Sequence, residues 1–282
     1  STVTLANLKK SFTGFTYKEG KVGSTVKTTA TVLPDGSLVI DLYYTRNQYT
    51  VTVNKGTGIS SVTGGGTYYY GASVTVNATV STGYTWKNWT GSSTSTNQQY
   101  TFTMGAANVT LTANATVNSY TLTVNPNGGS WNSTTSNSSF TLAYGSTKTI
   151  ANPTRTGYTF AGWTVSGSGS LSGTTYTQGA GNCTLTAKWT PIIYSVTYDA
   201  NGGSGAPGRQ EKYHGIDITL STSKPTKPGY TFTEWNTRAD GSGTGYAPGD
   251  SYTANASVTL YAQWEAAIEI SIITPNAAYG AD

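Results

Sequence analysis

Charge is the first thing this chain lacks. Only 10% of its 282 residues are charged, and no Asp or Glu lies between Asp41 and Asp199, a span of 157 residues. That span cannot hold a general acid/base pair of carboxylates, a carboxylate calcium site or an internal salt bridge. Its six basic residues (Arg46, Lys55, Lys87, Lys148, Arg155, Lys188) are scattered, whereas nucleic-acid binding wants a concentrated basic face. The single cysteine, Cys183, excludes an intrachain disulfide and a cysteine-based metal cluster. No run approaches 18 apolar residues, so no helical membrane insertion is expected. The start Ser1-Thr2-Val3-Thr4 has none of the regions of a signal peptide, and reads as mature or excised protein.

What is abundant is Ser and Thr, 84 residues together, and Gly, with 34. This is the composition of a β-rich extracellular protein with polar, uncharged solvent faces. A repeat organises it. Gly229-Tyr230-Thr231-Phe232-Thr233-Glu234-Trp235 is followed by Leu260-Tyr261-Ala262-Gln263-Trp264. The same pair occurs at Gly157-Tyr158-Thr159-Phe160-Ala161-Gly162-Trp163 with Leu185-Thr186-Ala187-Lys188-Trp189. A worn copy is Gly83-Tyr84-Thr85-Trp86-Lys87-Asn88-Trp89 with Leu111-Thr112-Ala113-Asn114-Ala115, and a fainter one starts at Gly14-Phe15. The leading glycines are 69, 74 and 72 residues apart. A fixed period of this size means tandem modules.

Strand periodicity gives the pair its reason. Alternate side chains share a face, so Tyr158 and Phe160 point one way, and Leu185, Ala187 and Trp189 share another strand's face. Two such strands side by side bury large aromatics, which matters in a module of about 70 residues with a thin core. The expected core is therefore Tyr84, Trp89, Tyr158, Phe160, Trp163, Trp189, Tyr230, Phe232, Trp235 and Trp264. The competing reading is an exposed aromatic platform for sugar rings.

The expected units are 1–47, 48–118, 119–191 and 192–265, with 266–282 as a C-terminal strand, either the start of a next module or a donor strand. In the first, Leu38–Tyr44 reads as a central strand after a Pro34-Asp35-Gly36 turn. The other three each open on an alternating strand: Tyr49–Val53, Tyr120–Val124 and Tyr194–Tyr198. Asn127-Gly128 and Asn201-Gly202 read as hairpin turns with both residues at positive φ. Linkers of a few residues favour a semi-rigid array over a floppy string, and at most a short turn of helix is expected.

Asp199-Ala200-Asn201-Gly202-Gly203, Lys224-Pro225-Thr226-Lys227-Pro228-Gly229-Tyr230-Thr231-Phe232 and Leu260–Trp264 resemble the Listeria–Bacteroides repeat, the internalin-type B-repeat. The resemblance covers roughly residues 120–264. Residues 48–118 resemble its divergent relative, with Ala115 where the terminal Trp would stand. Residues 1–47 are similar to the C-terminal part of a mucin-binding-type module. The resemblance implies an all-β, β-grasp-like fold in a linear tandem array of about four modules. It also implies a place outside the cell, on bacterial surface or secreted proteins, in stalks or adhesive spacers. The family has no catalytic residues to carry over.

Candidate chemistry is sparse, and no enzyme activity, cofactor or metal is expected. His214 occupies the place of Tyr144 before a turn glycine and reads as filler; no Gly-x-Ser-x-Gly elbow accompanies any serine. Asp240 and Asp250 read as turn residues. Lys9, Asp41 and Glu19, or Lys212, Asn236 and Glu234, are the residue types of a Lys–Asn/Asp cross-link with an acid beside it. A host or matrix glycan is the alternative partner, with Tyr68, Tyr69 and Tyr70 as its contact. The two chain ends read either as an excised window of a longer tandem array or as a contact with a further partner, copies of the chain itself. Ile268, Ile270 and Ile272 alternate as an assembly strand that would complete the first module of the next subunit by strand addition.

Overall fold

The computed structural model describes residues 1–268. These are organised by strands and turns throughout, and their one helical element is a 3-10 turn at Leu5–Leu8. Contacts group the chain into two compact units. One contains residues 1–124, 139–150 and 165–184; the other contains 125–138, 151–164 and the residues from 185 onward.

The first unit shows one full repeat most plainly. Its main sheet runs Tyr84–Gly91, Val109–Val117, Gln48–Lys55, Gly66–Tyr69. The opening strand Gln48–Lys55 lies parallel to the closing strand Val109–Val117, with Val51 opposite Val109 and Lys55 opposite Ala113. A second sheet (Tyr100–Thr103, Ser73–Val80, Ile59–Thr63) supplies the other layer. Between them Val51, Val74, Val76, Trp89, Met104, Leu111 and Ala113 are buried. The alternation Val74, Val76, Ala78 sends every second side chain of one strand into that core.

Residues 1–46 make a three-stranded sheet, Thr25–Lys27, Phe15–Val22, Asp41–Arg46, plus a two-stranded one, Thr2–Thr4 with Thr29–Thr31. The strand expected in the middle of a sheet over Leu38–Tyr44 instead spans Asp41–Arg46 and forms an edge. Among the described residues it pairs on one side only, with Phe15–Val22. A bulge between Tyr17 and Glu19 matches the one between Trp86 and Asn88, so Gly20 stands where Trp89 stands. Leu5, fully buried, fills the vacated volume: a Cβ on Gly20 would come within 2.6 Å of it.

In the second unit the sheet order is Gln210–Tyr213, Ile193–Asp199, Val258–Ala266, Tyr230–Asn236, Gly245–Tyr246. Opening and closing strands are again parallel, Val196 opposite Val258 and Asp199 opposite Tyr261. The core is Val196, Leu220, Trp235, Tyr252, Leu260 and Ala262. Burial raises the pKa of Tyr198, against a backbone hydrogen bond from Ser221, and of Tyr252, helped by Tyr246. A raised phenol pKa leaves stability intact below the unfolded value near 10 and removes it as pH rises through the folded value. This repeat should therefore unfold in alkali with tyrosinate absorbance appearing in the same transition. Tyrosinate absorbance complete before unfolding would contradict that placement of Tyr198 and Tyr252.

The expected aromatic core divides into three classes. Trp89 and Trp235 are fully buried. Tyr84, Tyr158, Phe160, Trp163, Trp189, Phe232 and Trp264 are half-buried. Tyr230 is 46% exposed and is not core. The alternation argument failed there because strand phase does not say what covers a face: Tyr84, at the same place, has the Tyr144 ring against it, whereas the Lys227 ammonium lies over the exposed Tyr230 ring.

Candidate functional site

Among the described residues no three His, Cys, Asp or Glu side chains group as a metal site. Cys183 is buried. Asp240 accepts from the backbone N–H and hydroxyl of Ser242, which holds its carboxyl below the usual range. Asp250 accepts from the Ala247 N–H. Asn236 lies beside Glu234, its side-chain amide donating at 3.1 Å, and ties the loop through Arg238, Gly241 and Gly243. Lys212, completely buried, donates elsewhere, to Asn255 Oδ1 at 3.1 Å and the Tyr213 carbonyl. The three cross-link candidates Lys212, Asn236 and Glu234 thus split into two separate structural pairings.

What recurs is a joint. The Gly14 carbonyl accepts from the Asn47 N–H, and the Asn47 carbonyl accepts from the Tyr70 N–H, both at 2.8 Å. The same relay joins Gly83, Asn118 and Tyr144, again at 2.8 Å, and then Gly157, Ile192 and His214 at 2.9 and 3.1 Å. In each, the aromatic ring packs against the glycine. A Cβ would lie 2.1 Å from the ring on Gly14, 2.2 Å on Gly83 and 2.4 Å on Gly157. All three glycines have φ near +80°, a region where a side chain meets its own carbonyl. Glycine is required twice over, for conformation and for space. Phe15 and Tyr84 then meet Tyr70 and Tyr144 edge to face at 5.8 and 6.1 Å. His214 is the ring of the third joint, its Nδ1 3.0 Å from the Tyr194 hydroxyl.

A second device pins the Asn-Gly-Gly turns. The Trp189 indole donates to the carbonyls of Pro126 and Asn127, and the Trp264 indole to those of Ala200 and Asn201. Gly129 and Gly203 press on these rings, a Cβ falling 2.4 and 2.5 Å from them. Asn127 and Asn201 do adopt positive φ, 48° and 49°. Yet the turns do not return directly into a paired strand. The chain first bridges Ser130 to Thr154, or Ser204 to Thr226. The terminal Trp is thus a turn anchor rather than a strand-to-strand spacer. Where Ala115 replaces it, the turn is Lys55-Gly56-Thr57-Gly58 instead.

The three tyrosines expected as a glycan platform do not act together. Tyr68 donates to the Gly64 carbonyl and Tyr70 serves the first joint. Tyr69 alone is half exposed, with the Arg46 guanidinium 5.6 Å from its ring centre. Of the assembly residues, Ile268 is 86% exposed; Ile270 and Ile272 lie outside the described residues.

Residues 120–188 and 194–263 match the Listeria-Bacteroides repeat domain, and residues 49–119 match the divergent InlB B-repeat domain. The chain belongs to this tandem-repeat family. The matched spans begin at residue 49 and leave out residues 1–47, where a mucin-binding-type module was expected. A putative Gly-rich membrane protein of Evansella cellulosilytica is 41% identical over 128 residues, covering 40% of this chain and 15% of that protein. A putative membrane protein of the same organism is 35% identical over 161 residues, covering 52% and 22%. Internalin H of Listeria monocytogenes is 33% identical over 115 residues, covering 40% and 20%. The chain therefore spans about a fifth of these relatives or less. The matched families are repeat domains rather than enzyme families.

Proposed function

We propose that this chain is a non-enzymatic, load-bearing stalk segment of a bacterial cell-surface or secreted protein. The observation that carries the reading is the parallel clasp of opening and closing strands. In the second repeat the chain enters at Gln48 and leaves at Val117, and these strands are parallel neighbours. Tension along the chain pulls them in opposite directions along their length, so the ladder hydrogen bonds share the load and must fail together. The fourth repeat has the same clasp. The joints extend the logic, because two backbone hydrogen bonds and a packed ring leave a linker little freedom.

Pulling direction tests the mechanism. Handles at Gln48 and Val117 load the clasp in shear, whereas handles at the opposed pair Asn54 and Thr112 peel it one bond at a time. Forced unfolding is governed by the unfolding rate, and the shear direction should need several-fold more force. Equal forces in both directions would remove the mechanical argument. The surface residue Tyr69 supports a second reading, an adhesive module for a host or matrix glycan, since exposed aromatics beside Arg suit sugar rings. A glycan array in which specific binding falls on Tyr69→Ala would favour it.

A further inference from the structure

The Asn-Gly-Gly turn of the third repeat carries one more inference. Arg155 lies over this turn and is held there by several contacts. Its guanidinium carbon is 3.9 Å from the centre of the Tyr158 ring, and Nη1 donates to the Asn127 carbonyl at 3.3 Å. Gly128 makes the room, since a Cβ there would fall 3.3 Å from the guanidinium carbon. Beside this cation opens a cleft of about 420 Å³, lined by the turn glycines and by Ser130, Thr135, Thr154, Arg155 and Thr156. Ser130 and Thr154 are locked together by a pair of backbone hydrogen bonds at 2.7 and 2.9 Å. Gly129 packs on Trp189, whose indole pins the turn.

We propose that this cleft binds an acidic sugar unit of a polysaccharide, with the sugar carboxylate on Arg155 and the sugar hydroxyls on the serine and threonine side chains. A guanidinium presents five N–H donors in a fixed fork that suits a carboxylate, and the Asn127 carbonyl takes one of them. No carboxylate of its own repeat competes for the rest: residues 119–191 hold Lys148, Arg155 and Lys188 and no Asp or Glu. The lining points the same way. Four hydroxyls around one cation, with no large apolar side chain among the lining residues, suit a ligand rich in hydroxyls that carries a negative charge. A lipid chain or an apolar peptide anchor would find no apolar wall there. The volume lies at the small end of ligand pockets, about 300–1,000 Å³.

The fourth repeat separates binding from a purely structural role for the cation. There Lys227 takes the place of Arg155, its ammonium 4.4 Å from the centre of the Tyr230 ring, and a Cβ on Gly202 would fall 3.5 Å from it. To hold the turn, a lysine on the ring is enough. The third repeat adds the guanidinium fork, and Thr156 where the fourth has Pro228. Over residues 192–265 the fourth repeat also holds seven Asp or Glu against five Lys or Arg, so an anion meets a less favourable field there. The site therefore belongs to the third repeat and not to the fourth. It is independent of the mechanical reading and of Tyr69, which lies in the second repeat.

Binding of the full chain to oligosaccharides of hyaluronan, alginate and polygalacturonate, each beside its carboxyl-reduced counterpart, tests the assignment. At least one acidic form should bind, more weakly as salt is added, and its reduced form should not. Arg155→Gln should weaken that binding at least about tenfold, as loss of a charge-assisted contact does, and Arg155→Lys should recover part of it. Thr135→Phe fills the cleft without changing the charge, and should abolish binding with the melting profile unchanged. Lys188→Gln removes one positive charge from outside the lining, and it should leave binding intact, as should Tyr69→Ala. A chain that binds none of the three polymers, a reduced form that binds as well as the acidic one, or equal losses from Arg155→Gln and Lys188→Gln would each overturn the proposal.

Discussion

Replacing Trp235 with Ala should remove most of the stability of the fourth repeat. The indole is fully buried among Val196, Leu220, Tyr252, Leu260 and Ala262, with Tyr198 and Phe232 rings 4.8 and 5.1 Å away. Truncating a buried Trp costs about 3–5 kcal/mol. A unit of about 70 residues has a total stability of roughly 4–10 kcal/mol, so the loss is decisive locally. Its indole N–H has no hydrogen-bond partner among the described residues, so packing alone sets the cost. Calorimetry should show one transition moved far down or abolished while the others stay. Tyr230→Ala, five residues earlier and 46% exposed, should move it little. Similar losses from the two substitutions would mean that the core has been misplaced.

The second large effect is expected at Gly83→Val. Valine at φ +82° is strained, by about 1–2 kcal/mol for the conformation alone. Its Cβ would also strike the Tyr144 ring, so the ring must leave or the backbone must shift. The relay through Asn118 should open without unfolding the core around Trp89. Amide exchange at Asn118 and Tyr144 should then accelerate at least about tenfold, since each 1.4 kcal/mol is a factor of ten. Gly229→Ala is the control. It shares the φ, +75°, but no described residue lies within 4 Å of the added carbon, and its effect should be the conformational cost.

These two substitutions divide what could be read from the chain from what could not. The repeat, the all-β class and the burial of Trp89 and Trp235 follow from a spacing that local periodicity makes visible. Tyr230 was misassigned because periodicity reports a face and not what covers it. The joints were hidden for a different reason. Gly14 meets Tyr70, and Gly157 meets His214, across more than fifty residues, and each partner already has a plausible local role in a turn. A signal was present in the common alignment of Tyr70-Gly71, Tyr144-Gly145 and His214-Gly215. Two Tyr and one His at one position share little beyond a flat ring, which is what pressing against a glycine demands. Trp189 and Trp264 were likewise read by strand phase, although their indole N–H groups reach back some 62 to 64 residues to the Asn-Gly-Gly turns.

The proposal that this chain bears force repeat by repeat is tested most directly by pulling it from its two ends. The family-matched repeats should yield three abrupt extensions of similar force. Each should release about 70 residues, or roughly 250 Å of extended chain at about 3.5 Å per residue. A single extension approaching the contour of the entire chain, or a smooth low-force lengthening without discrete events, would contradict it.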